Sequence, residues 1–158
     1  MCRPDPQWLF HQVNPLCSWG GGLAVIYRDS LSPHLTTSNR FSFDHSSFEL
    51  AQVSVRLQHR MLHFFCVYRP PPSRKNKLTE STFLGQFPDL LDHCDSLPGL
   101  LCILSNFNFH LNQPQNPSTS KFLDLFHMHS LHQLVDQPTL RHGHTVDLVI
   151  QQPDDGIH

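Results

Sequence analysis

The chain has 158 residues, a formal net charge of −2 with neutral histidines, and 39% hydrophobic residues. That length suits a single domain with its own core, and the 12 phenylalanines argue against disorder throughout. No apolar run approaches the ~20 residues of a membrane-spanning helix, and residues 1–12 lack the apolar core of a secretory signal. The charge also lacks the basic excess typical of nucleic-acid-binding modules, although 13 histidines would make the chain positive in mild acid.

The cysteines indicate a reducing compartment. Their number, five, is odd, and no pair has the spacing of a zinc knuckle. Cys66 and Cys102 lie inside apolar runs, which is typical of reduced thiols that fill a core. The sequence therefore predicts an intracellular protein, nuclear or cytoplasmic, and leaves the oligomeric state open.

The first half of the chain predicts strands. Residues 1–19 contain three prolines and no clear period, which predicts an irregular lead-in. Gly20–Gly22 precede the apolar strand 23–28, so they favour a tight turn or bulge and not a phosphate-binding loop. Residues 29–47 are polar and predict a loop. Residues 48–57 alternate as a half-buried strand, and residues 61–68 form its hairpin partner.

The second half alternates helices with strands. Apolar residues at helical spacing predict a helix over 80–93, capped by Thr79, which Pro88 could kink or split. Residues 100–104 form a buried strand, and a serine-capped helix follows at 120–130. Short strands near 132–135 and 145–150 complete a pattern of interleaved strands and helices, which predicts an α/β or α+β fold.

Four polar side chains stand at strand ends or junctions: Tyr68, Asn106, Asn108 and Asp147. Asn106 and Asn108 are two residues apart, so on a strand they share a face at a spacing of about 7 Å. Asp147 lies among apolar residues and needs a partner, because a buried unpaired carboxylate is costly. The set predicts either a functional site or a capped strand end, a turn asparagine and a salt-bridged aspartate.

Several ordered segments carry a resemblance to a known family. They are GGGLAVIYR (20–28), SFE (47–49), VYRPPPS (67–73), TESTFLGQFPDLL (79–91), LLCILSNFN (100–108) and TLRHGHTVDLVI (139–150). In this order and spacing the chain resembles the endonuclease/exonuclease/phosphatase domain of non-LTR, LINE-type retrotransposons. That family also includes deoxyribonuclease-I-like enzymes.

The resemblance implies a two-sheet β-sandwich flanked by helices, with its site at one end. It also implies magnesium-dependent cleavage of DNA phosphodiesters, with no membrane and no small-molecule cofactor involved. Tyr68 matches the family tyrosine that bonds the phosphate, and Asn108 an asparagine that holds phosphate or water. Asp147 matches the aspartate that partners the catalytic histidine.

Three departures from the family point to lost activity. Asn106 stands where the family has its essential aspartate, and an amide lacks that aspartate's charge and basicity. The chain has no glutamate before Glu49 that could match the family's metal ligand, and it ends before the final Ser-Asp-His segment. We therefore expect 20–158 to be an incomplete domain, truncated at both ends, with weak or absent magnesium binding and impaired hydrolysis.

Other interpretations stay open at this point. The chain could still be an active phosphodiesterase, a weak DNA-binding remnant using Tyr68, Asn108 and the basic residues Arg69, Arg74, Lys75 and Lys77, or a non-functional gene relic. That basic run could equally be a solvated loop. The histidines at 127, 129, 132, 142 and 144 have no carboxylate or cysteine at zinc-ligand spacing, so they favour loop and helix-surface positions.

Overall fold

The computed structural model describes residues 8–13, 22–38, 40–109, 111, 115–141, 143 and 145–153. The strands are β1 (Trp8–Val13), β2 (Leu23–Arg28), β3 (Leu35–Ser38), β4 (Glu49–Leu57), β5 (Arg60–Tyr68), β6 (Leu100–Asn106), β7 (His132–Gln133) and β8 (Asp147–Gln151). The α-helices are α1 (Glu80–Asp95) and α2 (Pro117–Met128), and a 3-10 helix spans Asp29–His34.

The strands form two sheets. β1 and β2 make a small antiparallel sheet, and the large sheet has the order β3-β4-β5-β6-β8-β7. In the large sheet β5 and β6 are parallel, and the other described pairs are antiparallel. The parallel pair brings the carboxyl ends of β5 and β6 to the same edge. The expected two-sheet α/β architecture is confirmed.

An aromatic core covers one face of the large sheet. Phe83 and Phe87 of α1 pack with Phe122 of α2, and with Phe107 and Phe109, which follow β6. The rings of Phe109 and Phe122 stack with centroids 4.7 Å apart, and Phe107 meets Phe122 edge-on at 4.9 Å. Each such contact adds about 0.5–1.5 kcal/mol beyond area burial. The core therefore holds both neighbours of Asn108.

The strand β4 is more buried than its sequence predicts. The predicted strand is present, but the expectation that only one of its faces is buried is wrong: Glu49 to Val55 are buried apart from Gln52. The alternation in the sequence misleads because Ser54 is buried with a partner: its hydroxyl lies 2.7 Å from His63 Nδ1. A satisfied hydroxyl can occupy a core position that an unpaired one could not.

Two helix predictions need correction. Helix α1 continues unbroken through Pro88, because its buried stripe of aromatic and leucine side chains holds it in place despite the lost amide donor. Its cap is as predicted, with the Thr82 amide donating to Thr79 Oγ1 at 3.0 Å. Helix α2 is capped by Asn116 and not by a serine. The Asn116 side chain accepts from the Ser118 amide at 2.8 Å, and Pro117 suits the first helical position.

Short strands were missed in segments without a clear pattern. β1 lies inside the segment expected to be irregular and pairs with β2 in a six-residue register. The predicted loop 29–47 contains the 3-10 helix and β3, which pairs with β4. β6 also runs two residues beyond the predicted 104, to Asn106. Gly22 has φ +112, which fits the predicted turn before β2.

The second face of the large sheet is covered unevenly: Ala51, Val53 and Val55 of β4 are buried, but the face is more open along β5 and β6. Leu62, Phe64 and Cys66 are only half-buried there, and 38% of Leu104 is exposed. Among the described residues, no helix combines the length and the apolar character that crossing a membrane requires.

Two glycines, one in α1 and one in the turn between α1 and β6, offer a matched test of how tightly this region is packed. Gly99 has φ +128, and a Cβ there would lie 2.4 Å from the Met61 carbonyl oxygen, so Gly99→Ala should destabilise the fold by about 1–3 kcal/mol. Gly85 lies on the exposed side of α1 with nothing within 4 Å, so Gly85→Ala should stabilise it by up to ~1 kcal/mol. Urea unfolding measures both; equal effects would contradict this account of the α1–β6 turn.

Candidate functional site

Four polar side chains form one row across the large sheet. Glu49 pairs with Tyr68, Tyr68 with Asn106, and Asn106 with Asp147, on the neighbouring strands β4, β5, β6 and β8. Residues directly opposite each other on paired strands place their side chains on the same face. The structure thus brings three of the four predicted site residues together and adds Glu49 to them.

A hydrogen bond joins the middle of this row to its end. Asn106 Nδ2 donates to Asp147 Oδ1 at 2.7 Å. Asn106 Oδ1 is buried and has no protein partner within the described residues. An aspartate at 106 would face the Asp147 carboxylate in this contact, and two such anions need a proton or a cation between them. The amide fulfils that requirement with its own N–H, so Asp147 is partnered by an amide and not by the salt bridge considered above.

Asn108 lies just past the end of β6 in an unusual conformation. Its φ is +53, in the left-handed region that asparagine tolerates better than most residues. Its Nδ2 donates to the Arg69 carbonyl oxygen at 2.7 Å. One amide hydrogen of Asn108 is therefore engaged in holding the β5 and β6 ends together, and the second hydrogen and Oδ1 have no hydrogen-bond partner among the described residues.

Arg69 does not belong to the basic surface run in which the sequence places it. Only 2% of its surface is exposed, whereas Arg74, Lys75 and Lys77 are exposed. The correction has a physical reason: the guanidinium lies over the rings of Phe109 and Phe83, at 4.4 and 5.2 Å from their centroids. These aromatic faces attract the cation into the core.

Glu49 is the residue that sequence reasoning missed. Only 1% of its surface is exposed, and its Oε2 accepts a hydrogen bond from the Gly22 amide at 2.7 Å. That bond ties the start of β4 to the small sheet. The alternation of residues along the strand could have revealed it. Glu49 falls on the same face of β4 as Ala51, Val53 and Val55, so an ionisable group lies on an otherwise apolar face.

The two carboxylates of this row, Glu49 and Asp147, do not lie together. The described residues contain no group of three histidine, cysteine, aspartate or glutamate side chains that could hold a metal. Glu49 and Asp147 are three strand spacings apart, roughly 14 Å, so they cannot share an ion. Magnesium prefers one or two carboxylates with near-ideal geometry, and Asp147 already bonds the Asn106 amide.

The remaining histidines and thiols lie outside this row. His129 Nδ1 is 2.6 Å from Asp95 Oδ2, and His127 and His132 are exposed, whereas 142 and 144 lie outside the described residues. Cys66, Cys94 and Cys102 are free thiols. Burial raises the pKa of each, most strongly at Cys94, which makes them poor nucleophiles.

Comparison with solved structures identifies the fold. The endonuclease domain of TRAS1, a telomere-specific non-LTR retrotransposon, matches with a TM-score of 0.63 and 14% identity over 93% of this chain and 68% of that one. An endonuclease/exonuclease/phosphatase family protein from Leptotrichia buccalis matches at 0.57 and 11%, over 93% and 61%. D. rerio TDP2 in complex with a single-strand DNA product matches at 0.61 and 9%, over 92% and 62%.

These matches confirm the expected endonuclease/exonuclease/phosphatase fold. The chain spans 61–68% of the length of the three solved structures. No protein-family model matches the sequence, and no curated protein matches it significantly. At such low identity the likeness concerns the fold alone, and the chemistry of the polar row depends on the residues that this chain itself places there.

The Asn106–Asp147 bond predicts how the site responds to magnesium. Asn106→Asp should destabilise the fold at pH 7 by about 1–3 kcal/mol, because it replaces a hydrogen bond with carboxylate repulsion. Added magnesium should restore part of that loss, because a cation between the two carboxylates offsets their repulsion. Thermal unfolding with and without magnesium measures both.

The matched control is Asn116→Asp, which adds the same charge at the α2 cap, where aspartate is equally favourable. It should leave stability nearly unchanged and show no magnesium response. If magnesium stabilised the wild-type protein as much as it stabilised Asn106→Asp, this account of the Asn106–Asp147 bond would be wrong.

Proposed function

We propose that this chain is a retrotransposon-type endonuclease domain by descent that recognises DNA phosphodiesters and is impaired in their hydrolysis. The observation that carries the proposal is the 2.7 Å bond from Asn106 Nδ2 to Asp147 Oδ1. It occupies the position at which the family resemblance places an essential aspartate. The amide partners the remaining carboxylate with its own N–H, so nothing at this contact calls for a cation.

Loss of hydrolysis follows from what the row lacks. A metal ion in phosphoryl chemistry offsets charge on the phosphate and the leaving oxygen, and an ionised carboxylate can orient or deprotonate the attacking water. Asn106 can do neither. Removing a single preorganised site donor costs a factor of about 10²–10³ in rate. The carboxylate absent at 106 would serve both cation binding and water activation, and the costs of losing the two roles do not simply add.

Retention of phosphate binding is supported by the neutral donors at the same edge. Tyr68 and Asn108 lie at the carboxyl ends of β5 and β6, and the exposed basic residues Arg74 and Lys77 follow β5 in the segment before α1. Phosphate oxygens accept hydrogen bonds from tyrosine and asparagine side chains. The similar TDP2 structure holds a single-strand DNA product, which agrees with a DNA ligand for this fold.

Plasmid nicking tests the first half of the proposal. Purified protein with magnesium should produce no nicked plasmid above the buffer control, because the row cannot hold the cation or activate water. Tyr68→Phe and Asn108→Ala, prepared in parallel, reveal any contaminating nuclease. Magnesium-dependent nicking that disappears in both variants would overturn impaired hydrolysis and establish an active enzyme.

Salt-dependent DNA binding tests the second half. We expect a dissociation constant in the range of ~10⁻⁴–10⁻⁶ M that weakens as salt rises, which is typical of phosphate contacts. Arg74→Gln with Lys77→Gln should weaken binding and reduce the slope of log K against log salt by up to ~1.8 on duplex DNA. Fluorescence anisotropy across a salt series measures both quantities.

The control pair is Arg56→Gln with Arg60→Gln, which removes the same charge at the far end of the β4–β5 hairpin. Arg56 lies seven residues along β4 from Glu49, about 23 Å from the row. An equal loss from the two double variants would mean that charge alone attracts the DNA. Binding that does not change with salt would exclude a phosphate site.

A further inference from the structure

Arg69 is the largest fully buried side chain of the described residues. It directly follows Tyr68 and precedes the prolines at 70–72. Burial lowers the pKa of its guanidinium, and the charge of Glu80 opposes that shift. No carboxylate of the described residues forms an ion pair with it, and its Nη2 atom is buried without a hydrogen-bond partner.

Stability does not explain this arrangement. A buried charge without an ion-pair contact costs several kcal/mol of desolvation, of which the charge of Glu80 offsets only a part, and an apolar side chain of similar volume often serves the fold as well or better. The Phe109 and Phe83 rings offset part of that cost, since a desolvated cation–π contact contributes ~2 kcal/mol. An orphaned buried N–H group in a native structure calls for another explanation.

Apart from the Phe83 ring, the contacts of Arg69 converge on one segment, residues 106–109. Its backbone amide donates to the Asn106 carbonyl at 2.9 Å, and its Nη1 donates to the Phe107 carbonyl at 2.8 Å. Its own carbonyl oxygen accepts from Asn108 Nδ2 at 2.7 Å, and its guanidinium lies 4.4 Å from the Phe109 ring centroid. One residue therefore contacts all four positions from Asn106 to Phe109, including the left-handed Asn108.

We propose that Arg69 is the positioning residue of the phosphate-binding edge: it locks Asn108 in its left-handed conformation and places a permanent positive charge beside the segment that receives a phosphodiester. This inference rests on the proposed DNA-binding function. The bond from Nη1 also polarises the peptide that follows Phe107, because hydrogen bonds in a chain strengthen one another. The charge then acts on a bound phosphate through Asn106–Asn108 and not by direct contact.

Two substitutions separate this role from a merely structural one. Arg69→Lys keeps the charge but loses the planar fork and its stacking, and Phe109→Leu keeps Arg69 but removes its nearest ring. In both we expect the Asn108 side-chain amide resonances to shift or broaden in ¹⁵N NMR spectra. Affinity for a single-stranded DNA of ~10 nucleotides should fall about tenfold, the equivalent of one charge-assisted contact. Arg56→Lys, about 23 Å along β4 from the row, is the control and should leave both the Asn108 resonances and the DNA affinity unchanged.

All measurements are made well below the unfolding temperature of each variant, so that lost stability does not imitate lost binding. A lower unfolding temperature with unchanged Asn108 resonances and unchanged DNA affinity would overturn the proposal and leave Arg69 a core residue. If the wild-type chain fails to bind the oligonucleotide, the proposed function fails, and the resonances still decide the orienting role: a shift in Arg69→Lys supports it, and no shift overturns it. Should Arg69→Lys not fold, Phe109→Leu provides the same reading.

Discussion

The hydrogen bond from Asn106 Nδ2 to Asp147 Oδ1 is the interaction on which the candidate site depends. It joins the central strand β6 to β8 at the edge where both carry polar side chains, and it gives the half-buried Asp147 carboxylate a hydrogen-bond donor. Glu49, Tyr68, Asn106 and Asp147 fall in one row because β4, β5, β6 and β8 pair without an offset at that level. A change in any of these registers would separate them.

The aromatic core explains why this edge is well defined. Phe107 and Phe109 are buried on either side of Asn108, and both contact Phe83 and Phe122. Packing of both neighbours fixes a left-handed backbone that costs energy when it stands alone. Arg69 connects that backbone to the end of β5 through two main-chain carbonyls and an amide. The core and the site are thus coupled, and substitutions of Phe107 or Phe109 should perturb Asn108 more than they perturb the far end of the β4–β5 hairpin.

Much of this fold was predictable where the side-chain pattern is strong, as in β5 and in α1 with its Thr79 cap. β1 and β3 escaped prediction because they are edge strands joined to β2 and β4 by main-chain hydrogen bonds, which leave little trace in the sequence. Tyr68, Asn106 and Asp147 were singled out from their positions at strand ends, but their mutual contacts span up to 41 residues and depend on register. Arg69 was misplaced on the surface because its burial depends on Phe83 and Phe109, which only tertiary packing brings to it.

The proposed function, binding without efficient hydrolysis, agrees with how the polar groups of the site are arranged. Catalysis requires interactions that strengthen as charge moves onto the leaving oxygen in the transition state. In the proposed site the donor groups belong to the protein and are already engaged: the Asn106 amide donates to Asp147, and the Arg69 guanidinium donates to a carbonyl and lies against two rings. Neither group can turn towards the negative charge that develops on the leaving oxygen without breaking one of these contacts. Under the proposed function, a phosphodiester at this edge would meet donors that suit its ground state, so an asparagine at 106 would impair cleavage more than recognition.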